Sequence, residues 1–147
     1  MRGVGGWLLL LCVGLTVLSP LLVTIGIVRA YLGDSPYFDR FPRLRVVLLV
    51  DTALRIALTA YGVWVGLRLG NVRPGAVQAA KRYFQVSLVY LVVAALLPFA
   101  AGLPSEANPT LAIAVARQTV PALIGVALWY AYLVRSKRVK ATYPDAA

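Results

Sequence analysis

Long runs of apolar residues, separated by short polar segments, dominate this sequence. The first run extends over residues 3–28 without a charged side chain, and about 20 apolar residues suffice for a helix to cross the hydrocarbon core of a bilayer. The pattern predicts an all-α integral membrane protein with one transmembrane domain over residues 1–147. Its four-transmembrane-helix bundle is expected to place helices at about residues 5–29, 43–69, 75–103 and 109–135.

The composition supports a membrane environment. Hydrophobic residues make up 61% of the chain and charged residues 14%, whereas soluble domains have about 45–50% apolar and about 25% charged residues. The formal net charge is +10, but the basic residues flank the apolar runs. This distribution favours anionic lipid headgroups over nucleic acid as the partner.

The positions of lysine and arginine predict the orientation of the helices. Nine of these residues fall at the N-terminus, between helices 2 and 3 and in the tail, and four fall between helices 1 and 2. The positive-inside rule therefore places both termini in the cytoplasm. The segment between helices 1 and 2 contains Tyr31, Tyr37, Phe38 and Phe41, which predicts a short aromatic segment in the membrane interface.

Residues 136–147 are predicted to form a basic cytoplasmic tail that is exposed to water. The basic cluster that begins at the end of helix 4 comprises Arg135, Lys137, Arg138 and Lys140. Two interpretations of this cluster are open. It either fixes the orientation of the last helix, or it contacts lipid headgroups or a protein partner.

Three charged side chains interrupt the apolar runs. Such charges are costly at membrane depth, so they face protein or water. Asp51 and Arg55 share a helix face because they are four residues apart. One interpretation is that they neutralise each other, while Glu106, backbone carbonyls near the proline breaks or lipid headgroups satisfy Arg117. The other is a buried anion site formed by Asp51, Arg55, Arg117 and Gln118, in which the second arginine leaves positive charge for a carboxylate or phosphate.

Small residues and a proline predict local packing features. Gly62, Gly66 and Gly70 recur at a spacing of four, which forms a ridge that another helix backbone can approach closely. Pro20 lies inside helix 1 and removes a backbone donor there, so a kink is expected near it.

The sequence offers little for catalysis or metal binding. It contains no histidine, and Cys12 is its only cysteine, so no metal site and no cofactor are predicted. An enzyme is disfavoured, with action on a lipid-linked substrate as the exception. The favoured function is an accessory or binding protein that associates with another membrane protein or an anionic lipid. The alternative is a transporter or channel for small solutes or ions, which would act as a homo-oligomer with the glycine ridge as its contact surface.

Both ends of the chain and helix 4 resemble a known bacterial family. The resemblance rests on the sequence GGWL at residues 5–8, Arg117 with Gln118, Trp129 with Tyr132, and SKRVKATY at residues 136–143. These features are similar to the domain-of-unknown-function family 2569 (DUF2569), small four-span inner-membrane proteins. The resemblance implies a bacterial cytoplasmic membrane as the location, and it implies no reaction.

Overall fold

The computed structural model describes residues 6–34, 42–100 and 108–143. Within these ranges the chain is helical and contains no strand. The helices, in chain order, are α1 (Trp7–Val13), α2 (Ser19–Asp34), α3 (Pro42–Gly70), α4 (Ala76–Ala100), α5 (Asn108–Arg135) and α6 (Lys137–Thr142). The all-α prediction is confirmed for these residues. Of the predicted aromatic segment, Tyr31 lies in α2, and Tyr37, Phe38 and Phe41 lie outside the described residues.

A single π-helical turn, Gly14–Leu18, joins α1 to α2. Pro20 accounts for this turn, because its ring has no N–H and clashes with the carbonyl of residue 16 in a regular α-helix. In the wider turn the Ser19 amide donates to the carbonyl of Gly14, five residues earlier. The helix is therefore irregular next to Pro20, where the sequence predicted a kink.

Three of the described helical segments are long and apolar enough to cross a membrane: Trp7–Leu32, Arg45–Gly70 and Ala76–Leu97. These segments suggest a membrane protein. α5 is not among them, although its 28 residues correspond to roughly 42 Å at 1.5 Å per residue. The number of spans and the side on which each terminus lies stay predictions.

The helices pack most tightly at one end of the molecule. α4 packs against both α3 and α5, and the helix formed by α1 and α2 packs along α3. Every described side chain that is buried lies in what we call the base: residues 7–15, α3 from Gly62, α4 up to Ser87, and residues 129–143. The rest of the described helices, called the outer half, contains no buried side chain among those described.

Two glycines permit close approach between helices at the base. A Cβ added to Gly62 would lie 3.0 Å from the ring of Tyr83 on α4, and one added to Gly66 would lie 2.7 Å from Cγ2 of Thr16. The chain's own helices therefore occupy the space beside both glycines. Gly70 has no atom within 4 Å of its Cβ position.

The prediction that the tail is exposed to water is wrong for Val139 and Tyr143, whereas Lys137 and Lys140 are exposed. α6 folds back onto the base, where Val139 is 0% and Tyr143 5% exposed. The Tyr143 hydroxyl donates to the carbonyl of Leu69 at the end of α3, and the Ser136 hydroxyl accepts from the Val139 amide at 3.4 Å to cap α6. Val139 and Tyr143 are four residues apart and share one face. Exposure was predicted from the many basic residues of the tail, and burial of this apolar pair accounts for the difference.

A strained turn joins α3 to α4. Val72 has a φ of 49°, a left-handed conformation that is unfavourable for a β-branched residue. Its amide donates to the carbonyl of Leu69 at 3.1 Å, and the Arg73 amide donates to the carbonyl of Arg68 at 3.1 Å. This pairing defines a Schellman motif, in which glycine normally occupies the left-handed position. The motif ends α3 abruptly and allows α4 to return beside it.

Candidate functional site

Asp51, Arg55 and Tyr90 form a polar network in the outer half. Nε of Arg55 lies 2.7 Å from Oδ2 of Asp51 one helical turn earlier on α3. The same Nε donates to the Tyr90 hydroxyl on α4 at 3.0 Å, and this hydroxyl donates to Oδ1 of Asp51 at 2.7 Å. Each of the three groups therefore contacts the other two, and the network links α3 to α4.

The hairpin of α3 and α4 places these groups at one level. Arg55 lies roughly 22 Å along α3 from Gly70, and Tyr90 lies roughly 21 Å along α4 from Ala76. Two antiparallel helices that share a tight turn bring residues at equal distances from that turn side by side. Tyr90 was not among the predicted site residues, and this equality of distance is the signal that would have identified it.

One side of the Arg55 guanidinium remains available for a ligand. The side chain of Arg55 is 28% exposed and that of Asp51 is 14% exposed. Nη1 of Arg55 would lie 3.7 Å from a Cβ on Gly26 of α2, so the absence of a side chain there leaves space beside the guanidinium. No hydrogen bond joins Nη1 or Nη2 to another of the described residues.

Formal charges within the network cancel. Asp51 contributes one negative charge and Arg55 one positive charge, and the carboxylate is fully engaged by the guanidinium and by the Tyr90 hydroxyl. This geometry accounts for two charges at membrane depth without a ligand. The free Nη groups can still donate hydrogen bonds to oxygen atoms of a carboxylate, phosphate or carbonyl group.

Arg117 and Gln118 lie apart from this network. Both residues are on α5 and both are exposed. Among the described residues, no hydrogen bond or ion pair joins either side chain to Asp51 or Arg55. The structure therefore brings together two of the four residues predicted for an anion site.

Basic side chains surround the base. Arg135, Lys137 and Lys140 are exposed around the docked α6, and the side chain of Arg138 lies outside what the structure describes. Arg68 stacks over Trp64 with its Cζ 4.7 Å from the ring centroid, and its Nη2 donates to the carbonyl of Pro74 at 3.2 Å. Docking of α6 thus holds the tail cations at fixed positions near those of the α3–α4 turn.

No group of three His, Cys, Asp or Glu side chains that could hold a metal ion occurs in the described ranges. The site consists of a charge-neutral network that bridges α3 and α4. Nη1 of Arg55 lies beside Gly26 of α2, where the absence of a side chain leaves space. Guanidinium donors of this kind are chemically able to bind an oxygen-bearing group.

These observations define the class of the protein. The described part of the chain is all-helical, and three of the helical segments are long and apolar enough to cross a membrane. A packed base lies next to an outer half that contains the polar network. The sequence matches the model of the family described as "Protein of unknown function (DUF2569)" over residues 1–144. The chain belongs to this family, as its sequence motifs predicted. No curated protein and no solved structure matches it.

Proposed function

We propose that the chain forms a four-span bundle in the bacterial cytoplasmic membrane, with α5 as the fourth span and both termini in the cytoplasm. The aromatic rings of Trp7 and Trp129 meet at the base with their centroids 6.4 Å apart, and Tyr143 contacts Leu69 there. The start of α1, the end of α5 and the α3–α4 turn therefore share one end of the bundle. The predominance of basic residues at that end supports a cytoplasmic base.

We further propose that the protein is an accessory or binding protein, whose partner is another membrane protein or an anionic lipid. The observation that carries this proposal is the division between a packed base and an outer half without buried side chains. The base supplies the fold, while the outer half leaves the Nη donors of Arg55 beside the gap at Gly26. Guanidinium donors at such a position suit a carboxylate or phosphate group.

The same packing gives less support to a homo-oligomeric transporter. Gly62 and Gly66, which would form its contact surface, already pack against the chain's own Tyr83 and Thr16. Only Gly70 of the predicted ridge has open space around it. A binding function requires no further subunit of this chain.

Native mass spectrometry of the protein released from its own membrane tests the binding proposal. The informative variant is the double substitution Asp51→Asn with Arg55→Leu, because it removes both charges and leaves no unpaired ion in the outer half. Arg73→Gln with Arg82→Gln is the control that lowers charge at the base alone, at two exposed residues outside the tail cluster. We expect an anionic lipid or a protein partner on the wild type and on the control, and its loss from the Asp51/Arg55 variant. Identical spectra for all three proteins would overturn the proposal.

A further inference from the structure

α5 presents polar groups on its outer surface at a depth where a membrane offers them no partner. Arg117 and Gln118 are both exposed. Arg117 lies roughly 14 Å along the helix from Asn108 and roughly 27 Å from Arg135. In the four-span arrangement proposed above, on which this inference rests, that position is inside the hydrocarbon core. An arginine there requires a partner.

Pro121 removes a backbone donor at the same place. In an α-helix the carbonyl of residue 117 accepts from the amide of residue 121, and proline has no amide hydrogen to donate. The side chain of Gln118 contributes both donors and an acceptor. We call the Arg117 guanidinium, the Gln118 amide and the Arg117 carbonyl the α5 polar patch.

The chain itself offers no acid for this patch within its predicted spans. Asp51 is the only acidic residue in the four apolar runs, and it is already paired with Arg55 and Tyr90. A second copy of the chain would bring the same engaged carboxylate. The other acidic residues of the chain, Asp34, Asp39, Glu106 and Asp145, lie outside these runs, so a complementary charge inside the hydrocarbon core has to come from a different molecule.

We propose that the α5 polar patch docks a transmembrane helix of another protein, and that this helix carries an aspartate or glutamate at the depth of Arg117. The carboxylate pairs with the guanidinium in two-point contact, and neighbouring polar side chains of the helix bond Gln118 and the free carbonyl. A lipid phosphate lies in the headgroup region, whereas Arg117 in the four-span arrangement lies inside the hydrocarbon core. A transmembrane helix can present a carboxylate at that depth, so the position of the patch favours a helix.

Model peptides provide a defined test. The protein is reconstituted in phosphatidylcholine vesicles with poly-leucine transmembrane peptides that carry glutamate, glutamine or leucine at the depth of Arg117, and association is measured by energy transfer. We expect wild type to bind the glutamate peptide about 5- to 30-fold more tightly than the leucine peptide, the range of interhelical polar contacts in membranes. Arg117→Leu should abolish this preference, and Arg117→Lys should retain part of it. Arg135→Gln removes the same charge from the end of α5 and should leave the preference unchanged.

Two results would overturn the inference. The first is equal binding of the glutamate and leucine peptides by the wild type. The second is retention of phosphatidylglycerol that depends on Arg117 while no peptide preference is seen, which would assign the patch to lipid. Cysteines at Asn71 and Lys140, labelled from each side of the vesicle, separate these outcomes from a failure of the four-span proposal. Labelling of the two from opposite sides would show that α5 does not cross the membrane.

Discussion

Replacement of Tyr143 tests whether the tail is part of the folded base. Tyr143→Phe removes one hydroxyl and keeps the buried ring. The carbonyl of Leu69 retains the Val72 amide as a donor at 3.1 Å, so no acceptor is left unpaired. The loss is then limited to the net value of one hydrogen bond, about 0.5–1.5 kcal/mol. Tyr143→Ala also removes a buried aromatic ring, which costs about 3–5 kcal/mol in a packed core.

Hydrogen exchange of the α6 amides measures these losses directly, because it reports local opening of the tail. The amides of Lys140 and Tyr143 donate to the carbonyls of Ser136 and Val139 at 3.3 and 2.9 Å. Since 1.4 kcal/mol corresponds to a factor of about ten, Tyr143→Phe should accelerate their exchange about 2- to 13-fold. Tyr143→Ala should accelerate it by more than about 100-fold.

A change at an exposed position of the same helix provides the control. Lys140→Ala should leave the exchange of the Tyr143 amide at the wild-type rate, because Lys140 is exposed. Exchange in Tyr143→Ala at the wild-type rate would refute docking through this ring. Equal acceleration in Tyr143→Phe and Tyr143→Ala would show that the hydroxyl, and not burial of the ring, holds the tail.

The same contact predicts a dependence on pH. Burial raises the pKa of Tyr143 from 10.0 to about 12. A group whose pKa is higher in the folded state contributes its stability fully below the unfolded pKa and loses it as the pH rises through the folded value. Protection of α6 should therefore be constant below pH 10 and fall between about pH 10 and 12. Tyr143→Phe should lack this fall.

Three further predictions concern the helices, and unfolding of purified protein in mixed micelles measures each of them. Gly66→Ala should destabilise the bundle by about 1–3 kcal/mol, because the added Cβ would lie 2.7 Å from the Thr16 side chain. Gly70→Ala adds a Cβ in open space and should stabilise the bundle by about 0.5–1 kcal/mol. Equal effects of the two substitutions would contradict the assigned packing. Val72→Gly should stabilise by about 1 kcal/mol through relief of the left-handed strain, and a loss would show that the turn is not strained. Tyr90→Phe should destabilise by about 1.5–3 kcal/mol, since Asp51 loses a hydrogen bond to its charged oxygen; an unchanged stability would mean that this bond contributes nothing.

The helices could be predicted from the sequence because apolar runs and their polar ends mark helix length directly. For example, α3 extends from Pro42 to Gly70, and the apolar run predicted a helix at about residues 43–69. Spacing also placed Asp51 and Arg55 on one face. These features depend on residues near one another in the chain.

Features that depend on contacts between distant segments were missed. Tyr90 joins the charged pair only because the strained turn at Val72 returns α4 beside α3. The tail was predicted from its charge, and the burial of Val139 and Tyr143 depends on a complementary surface at the base. Arg117 was assigned to the same site as Arg55 because both were expected at a similar depth in the membrane. Depth does not determine the face of the helix on which a side chain lies.

The most direct test of the account is the membrane sidedness of the base. Single cysteines are placed at Asn71, Ser105 and Lys140 in a Cys12→Ala background, and each is labelled with an impermeant maleimide from either face of sealed vesicles. The account predicts that Asn71 and Lys140 react from the cytoplasmic face and Ser105 from the opposite face. Reaction of Asn71 and Lys140 from opposite faces, or of all three from one face, would contradict a four-span bundle with its base in the cytoplasm.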